Sequence, residues 1–315
     1  MRILVTGGAG FIGSHVVDRY IERGHEVTVI DNLSTGKRQN VNKDARFYEM
    51  DIQDPSLRGI FEHGCFDVVN HHAAQIDVRV SVADPIRDAR TNVLGFLNIM
   101  ENVKRFDVGR TILISSGGVI YGETPDEPAT EVSLKRPFSP YGVTKYASEQ
   151  YLFYYHNVHG IEGVTLRYSN VYGPRQDPFG EAGVVAIFSK NLLKGETLTI
   201  YGDGEQERDY VFVDDVVEAN MIMTESKLSN ACDSVDDLAF NVGTGSSASV
   251  NELARIMIEI AGSNSKPVYA PPRAGELLRN CLSCDRITSH FDWRVKTAFR
   301  QGLEKTYNWF AEQNI

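Results

Sequence analysis

Tyr141 and Lys145 lie four residues apart in the sequence, and their side chains are of types that can carry out proton transfer. Residues four apart share one face of a helix, so the Lys145 ammonium can lie beside the Tyr141 phenol. The positive charge favours the phenolate and lowers a pKa that is about 10 in an unperturbed tyrosine. A tyrosine tuned in this way can take a proton from a substrate hydroxyl. The pair predicts a general base, although this spacing alone is common and usually means a solvated lysine beside a packed ring.

A glycine-rich turn near the N-terminus predicts a binding site for a dinucleotide cofactor. The segment Thr6-Gly7-Gly8-Ala9-Gly10-Phe11-Ile12-Gly13 joins an apolar stretch, 2–6, to a stretch with helical apolar spacing, 11–23. Gly7 and Gly10 allow a tight turn that brings a pyrophosphate to the helix N-terminus, and Gly13 allows close helix packing. The spacing is looser than Gly-x-Gly-x-x-Gly, but the flanking strand and helix favour a dinucleotide site. We expect a nicotinamide to accept hydride while Tyr141 takes the proton.

The end of the second predicted strand, 26–30, indicates which dinucleotide binds. Asp31 follows this strand, and its carboxylate can accept from both adenosine ribose hydroxyls and would repel a 2′-phosphate. That selects NAD over NADP. Lys37 and Arg38 could serve a phosphate, although loop lysines and arginines are more often solvated. The candidate cofactor contacts in this region are Gly7, Gly10, Phe11, Ile12, Gly13, Asp31 and Asn32.

The order of apolar stretches predicts the architecture. At 315 residues the chain is long for one core, so two coupled domains are expected. Strand-like stretches alternate with helical ones, which indicates an α/β fold. The remaining predicted strands are Arg46–Met50, Phe66–Asn70, Thr111–Ser115 and Gly163–Arg167, and the main helices are Ile86–Phe106 and Tyr141–His159. We predict a Rossmann-type doubly wound parallel sheet in the NAD-binding domain, residues 1–170, and a smaller C-terminal α/β substrate domain, residues 171–315. No clear linker separates them, so exchanged segments are expected.

The composition of the chain argues against several classes of protein. The net charge of −10 argues against nucleic acid as a partner, and no apolar run approaches the length of a membrane span. The first strand begins at the N-terminus with no leader before it, so a cytoplasmic protein is expected. Four cysteines are too few for a disulfide scaffold. Cys281 and Cys284 have redox-motif spacing but lack a second pair or a nearby histidine, so we interpret them as bystander thiols and expect no metal.

In these motifs the chain resembles, nearly end to end, the extended short-chain dehydrogenase/reductase family, and within it the UDP-glucose 4-epimerases. The resemblance implies that NAD lies along several further segments. Asp51-Ile52 would contact adenine, Asn92 would reach the loop near the nicotinamide, and Tyr168 would close that pocket. The other residues implied as cofactor contacts are Ala73, Ala74, Gln75 and Ser115.

The same resemblance implies a site for a UDP-sugar. Asn170 matches the asparagine that binds the substrate diphosphate, and Arg208 and Arg273 resemble the two arginines that bind it as well. A guanidinium offers a bidentate fork to phosphate oxygens, which suits that role. The strand that stacks against uracil would carry Thr199 and Tyr201. Glu276 stands where the family usually has an aspartate near the nucleoside ribose.

One position departs from the family pattern. Gly117 occupies the site of the usual catalytic serine or threonine, four residues before Tyr121. The hydroxyl that assists Tyr141 at the sugar O4 would then come from Ser116. Alternatively, Ser116 only bonds the backbone and Tyr141 acts with a water.

The next two positions distinguish reactions within the family. Sugar-nucleotide 4,6-dehydratases carry Asp-Glu there, and UDP-glucuronate decarboxylases carry a glutamate, whereas this chain has Gly118 and Val119. An oxidised 4-keto sugar can then only be reduced again, from either face. The sequence predicts an NAD-dependent epimerase inverting C4 of a UDP-hexose, UDP-glucose or UDP-galactose, with the N-acetylated forms as further candidates.

Alternatives remain open at this point. One is an NAD-dependent sugar-nucleotide reductase or dehydrogenase that releases its cofactor, and another is a UDP-glucuronate 4-epimerase. A non-catalytic NAD-sensing relative would need the tyrosine and lysine lost, and both are present. In epimerases restricted to plain hexoses a tyrosine closes the pocket near the sugar C2 group, and Asn280 takes its place here. A homodimer is predicted, because apolar residues of the helix from Tyr141 cover more than one stripe.

Overall fold

A computed structural model describes residues 1–123, 128–179, 183–228, 232–272 and 277–313. Within these ranges the strands are β1 (Arg2–Thr6), β2 (Glu26–Asp31), β3 (Arg46–Glu49), β4 (Val68–His71), β5 (Arg110–Ser116), β6 (Glu162–Tyr168), β7 (Asn170–Tyr172), β8 (Thr199–Tyr201), β9 (Glu207–Arg208), β10 (Tyr210–Phe212), β11 (Ala239–Val242), β12 (Ala248–Ser249), β13 (Val268–Ala270) and β14 (Arg279–Asn280). The helices are α1 (Phe11–Glu22), α2 (Leu57–Gly64), α3 (Val78–Ala83), α4 (Pro85–Ala89), α5 (Phe96–Arg105), α6 (Gly117–Ile120), α7 (Pro140–His159), α8 (Val184–Leu193), α9 (Val213–Glu225), α10 (Val250–Ile260), α11 (Asp285–Phe291) and α12 (Phe299–Glu312).

Seven strands form the central sheet, in the order β3-β2-β1-β4-β5-β6-β11. The pairs β1–β2, β1–β4, β2–β3 and β4–β5 are parallel. The strand order reverses between β1 and β4, and in open α/β sheets ligands bind beside the carboxyl ends of strands at such a reversal. The predicted Rossmann-type doubly wound sheet is confirmed.

The turn after β1 is as tight as the glycine pattern predicts. Four of the five β1 residues are buried, as expected for a central strand with both faces covered. Gly7 has φ of +71°, and a Cβ there would lie 2.6 Å from the backbone N of Ala73. A Cβ on Gly13 would lie 2.3 Å from the carbonyl oxygen of Gly7. A larger residue at position 13 would therefore force α1 away from the turn, and one at position 7 would force the turn away from the segment after β4.

The predicted helix Ile86–Phe106 is interrupted in the structure. It begins one residue earlier, as α4, widens into a π-type turn at Arg90–Gly95, and continues as α5. The widened turn holds Asn92, whose side-chain amide exchanges two hydrogen bonds with the backbone of Gln75, at 2.8 and 2.9 Å. Such π-type turns are frequent at functional sites.

The chain alternates between two compact units. The first unit contains Met1–Ile120, Pro137–Arg167 and Val217–Phe240, and the second contains Tyr121–Arg136, Tyr168–Val216 and Asn241–Ile315. The assignment of NAD to residues 1–170 and of the sugar nucleotide to 171–315 stays a prediction.

Each unit has its own core. In the first, Phe96, Met100 and Leu152 belong to a cluster of fully buried side chains around the sheet. In the second, the rings of Tyr172, Tyr210, Phe212 and Phe299 pack against one another.

Candidate active site

The first turn of α7 brings the predicted tyrosine and lysine together. The helix begins where Ser139 accepts a hydrogen bond from the backbone N–H of Gly142, with a proline at the first helical position. The Lys145 Nζ lies 5.9 Å from the centroid of the Tyr141 ring. Lys145 is buried, and its ammonium donates to the carbonyl oxygen of Ile114 in β5, at 2.9 Å. The side chains that the sequence spacing placed on one face of a helix therefore adjoin each other at the end of a central strand.

The charge on Lys145 is set by opposing effects. Burial lowers the pKa of its ammonium from 10.5 to about 8, while the negative charges of Asp88 and Glu149 act in the opposite direction. The cation therefore still predominates at neutral pH. A buried positive charge beside a phenol favours the phenolate.

Two histidines at the end of β4, His71 and His72, were not foreseen from the sequence. Burial, and after it the charge of Lys145, lowers the pKa of both rings well below the usual value, so both are neutral at physiological pH. His71 Nδ1 lies 2.8 Å from the hydroxyl oxygen of Thr6 in β1. Two consecutive histidines at the carboxyl end of a strand were the signal that could have marked them.

Asp31 lies where β2 ends, against the glycine turn. Its carboxylate accepts from the backbone N–H groups of Ala9 and Leu33, at 3.0 and 2.8 Å. Burial raises the pKa of this carboxyl, and the two backbone hydrogen bonds oppose that shift. A Cβ on Gly36 would lie 2.7 Å from the same carboxylate, so the loop passes close over it.

The turn and α1 together fit a dinucleotide. Gly10 caps α1 without a side-chain hydrogen bond, and the first turn of the helix carries no acidic residue. Positive charge of the helix dipole is thus available to an anionic group, as at other pyrophosphate sites. Phe11 and Ile12, both half-buried, are the first two residues of that turn. The described residues here fit NAD, because the backbone N–H groups at the start of α1 suit a pyrophosphate and the Asp31 carboxylate suits a ribose.

Two of the predicted cofactor contacts, Asn32 and Asp51, are joined directly. The Asn32 side-chain amide donates to the carboxylate of Asp51, at 2.8 Å. Ile52 is buried in the core of the first unit and packs close to Gly95, where a Cβ would lie 2.6 Å from its Cδ1. Asp51 and Asn32 thus come together, whereas Ile52 mainly fills the core.

The segment after β4 is anchored to the π-type turn. Gln75 and Asn92 are paired as described above, and Ala73 donates its backbone N–H to the Thr6 hydroxyl, at 3.2 Å. Ala73, Ala74 and Gln75 are all partly exposed. The predicted contacts from Ala73 to Gln75 and at Asn92 therefore lie in one connected loop region of the first unit.

The candidate hydroxyls lie at the end of β5. Ser115 is buried, and its hydroxyl has no hydrogen-bond partner within the described residues. Ser116 is the last residue of β5 and is half-buried, and α6 begins directly at Gly117. Adjacent residues of a strand face opposite sides, so the two hydroxyls point in different directions.

Four of the predicted sugar-nucleotide contacts, Asn170, Thr199, Tyr201 and Arg208, are described residues of the second unit. Asn170, in β7, pairs with Tyr210 in β10, and its backbone N–H donates to the carbonyl oxygen of Asp209, at 2.9 Å. Arg208 precedes that aspartate, in β9, and donates to the carbonyl oxygen of Glu207. Asn170 and Arg208 are thereby placed on neighbouring backbone segments.

The other predicted substrate contacts, apart from Ser116 and Tyr141, lie on β8 or outside the described residues. Thr199 and Tyr201 are the exposed ends of β8, which pairs with β13. Tyr168, predicted instead as a cofactor contact that closes the nicotinamide pocket, is the last residue of β6 and is buried. Arg273 and Glu276 lie outside the described residues.

Comparison with known proteins decides the family. The model of the NAD dependent epimerase/dehydratase family matches residues 3–243. The chain belongs to this family. The predicted membership of the extended short-chain dehydrogenase/reductases is confirmed, and so, at the level of the family, is the dependence on NAD.

Three relatives of this epimerase/dehydratase chain match over their full length. A UDP-glucose 4-epimerase of Mycolicibacterium smegmatis is 41% identical over all of both chains. The crystal structure of a UDP-glucose 4-epimerase from Thermotoga maritima, with UDP-glucose, has a TM-score of 0.95 at 45% identity and full coverage of both chains. That of the Thermus thermophilus UDP-glucose 4-epimerase, in complex with NAD, has a TM-score of 0.92 at 44% identity and 99% coverage of each. The predicted similarity to UDP-glucose 4-epimerases is confirmed.

The cysteines and the helices of the chain complete the description of the site and its surroundings. Burial raises the pKa of the Cys281 thiol to about 12 and that of Cys284 further still, so neither is a ready thiolate. No helix within the described ranges combines the length and the apolar character that a membrane span needs.

Proposed function

We propose that this protein is an NAD-dependent epimerase that inverts C4 of a UDP-hexose, with UDP-glucose and UDP-galactose as its principal pair. The observation that carries the proposal is the buried Lys145 ammonium beside the Tyr141 ring at the end of β5. The full-length similarity to UDP-glucose 4-epimerases supports the choice of substrate.

The proton is moved by Tyr141. Its phenolate takes the proton of the sugar O4, and the Lys145 charge stabilises the phenolate before transfer. NAD, when bound, supplies reversible hydride exchange at C4, so that a 4-keto sugar forms. The keto sugar turns about its diphosphate and regains hydride at C4 on its other face while Tyr141 returns the proton to O4. No net oxidation occurs.

The diphosphate must stay bound while the sugar turns. We assign this anchoring to Asn170, Arg208 and Arg273, since guanidinium groups form paired hydrogen bonds with phosphate oxygens. Thr199 and Tyr201 would hold the uracil, and Glu276 the ribose. Because these groups are remote from the reacting bond, they hold both epimers equally.

The hydroxyl that helps to align O4 is assigned to Ser116. Gly117 offers no side chain at the position where relatives carry the hydroxyl, and Ser116 is partly exposed at the end of β5. The alternative assigns alignment to a water and leaves Ser116 bonded to the backbone.

The two residues after Gly117 disfavour elimination from a 4-keto sugar. Gly118 and Val119 supply neither an acid nor a base. A 4-keto sugar bound there would lack a group to remove a C5 proton, and re-reduction at C4 is the remaining course.

A homodimer belongs to the same proposal. The helices α4 and α7 pack side by side, and both carry exposed apolar side chains on the surface of the first unit. Exposed fractions are 65% for Ile86, 53% for Val143 and 61% for Val158. Large exposed apolar patches mark interaction sites, and a second copy would bury these helices. Light scattering should give twice the chain mass, and Val158→Asp should give the monomer; a monomeric wild type would contradict the dimer.

The decisive experiment follows sugar conversion by NMR with the purified protein and no added NAD. UDP-glucose should convert to UDP-galactose until the two reach equilibrium, and the protein should carry bound nicotinamide. UDP-N-acetylglucosamine, UDP-glucuronate and dTDP-glucose are the comparison substrates. Preferential conversion of UDP-glucuronate, or NADH accumulating in proportion to oxidised sugar, would favour the alternatives and refute the proposal.

A further inference from the structure

Asp88, in α4, is a fully buried carboxylate with neutral hydrogen-bond donors around it. The Thr144 hydroxyl donates to one oxygen, at 2.6 Å, and the side-chain amides of Gln75 and Asn92 donate to the other, at 2.7 and 3.2 Å. In the part of the chain that the structure describes, no lysine, arginine or histidine forms an ion pair with it. A buried charge without a counter-charge is strongly destabilising, so Asp88 calls for an explanation.

Lys145, on the neighbouring helix α7, is a second buried charged group. Its ammonium is buried and donates to a backbone carbonyl, and within the described residues it forms no contact ion pair. The charge of Asp88 favours the protonated form of Lys145 against the larger effect of burial. Each buried charge therefore offsets part of the penalty on the other without a direct salt bridge.

The other ionisable groups around Lys145 differ from Asp88 in their own partners or charge. Glu149 also favours the charged form of Lys145, but it is held in a contact ion pair by Arg167, whose guanidinium donates to both of its carboxylate oxygens, at 2.6 to 3.1 Å, and also to Asp236, at 2.9 Å. His71 and His72 are neutral, because burial and Lys145 lower their pKa values. Tyr141 is the group on which the lysine acts. Of the two carboxylates that favour the charged form of Lys145, Asp88 is thus the one that has no contact cation among the described residues.

Asp88 also holds the turn of α7 that carries the pair. Thr144 immediately precedes Lys145, and its hydroxyl oxygen lies 3.1 Å from the carbonyl oxygen of Tyr141 as well as 2.6 Å from Asp88. Through Gln75 and Asn92 the same carboxylate reaches the loop after β4 and the π-type turn.

We propose that Asp88 is a positioning residue for the Tyr141–Lys145 pair: its buried charge balances the Lys145 ammonium, and its bond to Thr144 fixes the turn that carries both. The effect on turnover rests on the proposed epimerase function. The electrostatic effect on Lys145 does not.

The electrostatic part is tested by NMR of the lysine side chains. Lysine labelled at Cε is titrated in the purified protein, and the Lys145 signal is assigned by its loss in Lys145→Met. Asp88→Asn keeps the shape but removes the charge, and should lower the pKa of Lys145 by roughly one unit. Thr144→Val removes the hydrogen bond but keeps the charge, and should leave that pKa close to wild type. Glu131→Gln, which removes a buried carboxylate in the second unit, is the control and should also have no effect.

An unchanged pKa in Asp88→Asn, or equal shifts in Asp88→Asn and Thr144→Val, would overturn the inference. Stability gives an independent measurement if Asp88→Asn is poorly folded. The substitution should lower the melting temperature less in a Lys145→Met background than in the wild type, because the unbalanced cation is then absent. Equal losses in the two backgrounds would also overturn it.

Turnover separates positioning from a merely structural role. In Asp88→Asn the high-pH limb of kcat should move to lower pH by roughly the same one unit, while KM for UDP-glucose stays within about threefold. A purely structural defect would lower kcat by one factor at every pH, and that result would refute the inference. If the wild type fails to epimerise any UDP-hexose, the proposed function fails while the lysine titration still decides the role of Asp88.

Discussion

The Lys145 ammonium is held by the backbone carbonyl of Ile114, at 2.9 Å, and by no contact carboxylate among the residues that the structure describes. A neutral acceptor fixes the position of the cation without cancelling its charge. The field of the ammonium therefore remains available to the Tyr141 phenol, whose ring centroid is 5.9 Å away. A contact salt bridge at the same place would have held the lysine equally well but weakened its effect on the tyrosine.

Tyr141→Phe should abolish most turnover and leave affinity for UDP-glucose near wild type. The phenol acts on the proton, whereas affinity comes from the diphosphate. Loss of a general base typically lowers the rate about 10²- to 10⁴-fold. Steady-state kinetics together with calorimetric binding would check this, and a mutant within threefold of wild-type kcat would contradict the assignment.

Lys145→Met should lose activity yet stabilise the nucleotide-free protein. The pKa of the buried ammonium is lowered from 10.5 to about 8, so the folded state disfavours the proton that the unfolded chain holds. At pH 7 this penalty is on the order of 3 kcal/mol, less about 1 kcal/mol for the lost bond to Ile114.

The stability difference between the wild type and Lys145→Met should depend on pH. Wild-type stability should rise between about pH 8 and 10.5, since only the unfolded chain stays protonated there, and Lys145→Met should lack that rise. Thermal unfolding at pH 7 and pH 9.5 measures the difference. A variant less stable than wild type at pH 7, or a gap that widens at high pH, would show that burial is not the dominant effect.

Ser116→Ala should slow turnover more than Ser115→Ala. The first removes the hydroxyl assigned to O4, whereas the second removes a buried hydroxyl assigned to the cofactor side. Parallel measurement of kcat and of retained NAD separates the two roles. Equal losses of kcat in both variants would mean that the aligning hydroxyl is misassigned.

Asp31→Ala should release NAD and relax discrimination against NADP. The carboxylate that would repel a 2′-phosphate is then gone, and the N–H groups of Ala9 and Leu33 lose their acceptor. Cofactor content after dialysis, with each dinucleotide added back, is the measurement. Asp31→Asn is the matched control, because it keeps an acceptor without the charge. Unchanged NAD retention and NADP rejection in Asp31→Ala would place the selectivity elsewhere.

Asn280→Tyr should lower activity on UDP-N-acetylglucosamine relative to UDP-glucose, and the wild type should accept both. An asparagine leaves more room near the sugar C2 group than the tyrosine of plain-hexose epimerases. Asn280 is buried, with its amide 3.4 Å from the carbonyl oxygen of Gly122, so a melting curve must accompany the assay. Asn280→Ser controls for the lost amide. Rejection of the acetamido sugar by the wild type, or an unchanged ratio in Asn280→Tyr, would refute this prediction.

Local pattern was sufficient for three elements of the first unit. The glycine turn, β1 and the start of α7 are fixed by residues within one or two turns of each other, so their periodicity and caps are readable along the chain. The π-type turn was not foreseen, because it depends on Asn92 pairing with a backbone segment 17 residues away. Asp88 stands among charged residues in Asp84-Pro85-Ile86-Arg87-Asp88, a pattern typical of a solvated surface, and only tertiary packing buries it.

The second unit was harder to predict for a related reason. Its strands β9, β12 and β14 have two residues each, too short for any alternation of apolar and polar side chains to show. Asp209 illustrates the consequence: its buried carboxylate accepts from the backbone N–H and hydroxyl of Thr244, and nothing in its neighbourhood along the chain marks that contact.

The alternation of the chain between two units constrains how the molecule can be made. The first unit ends with Val217–Phe240, so it cannot be complete until residue 240 has left the ribosome. In the folded protein the side-chain amide of Asn70 donates to Asn220, at 2.9 Å. The hydroxyls of Tyr20 and Thr224 are also hydrogen-bonded to each other, at 2.6 Å, and all four side chains are buried. A nascent chain cut at residue 170 would expose those polar groups and the sheet edge beside β6. We therefore expect residues 1–170 to be insoluble when produced alone, and the first unit to fold only after residue 240 has been synthesised.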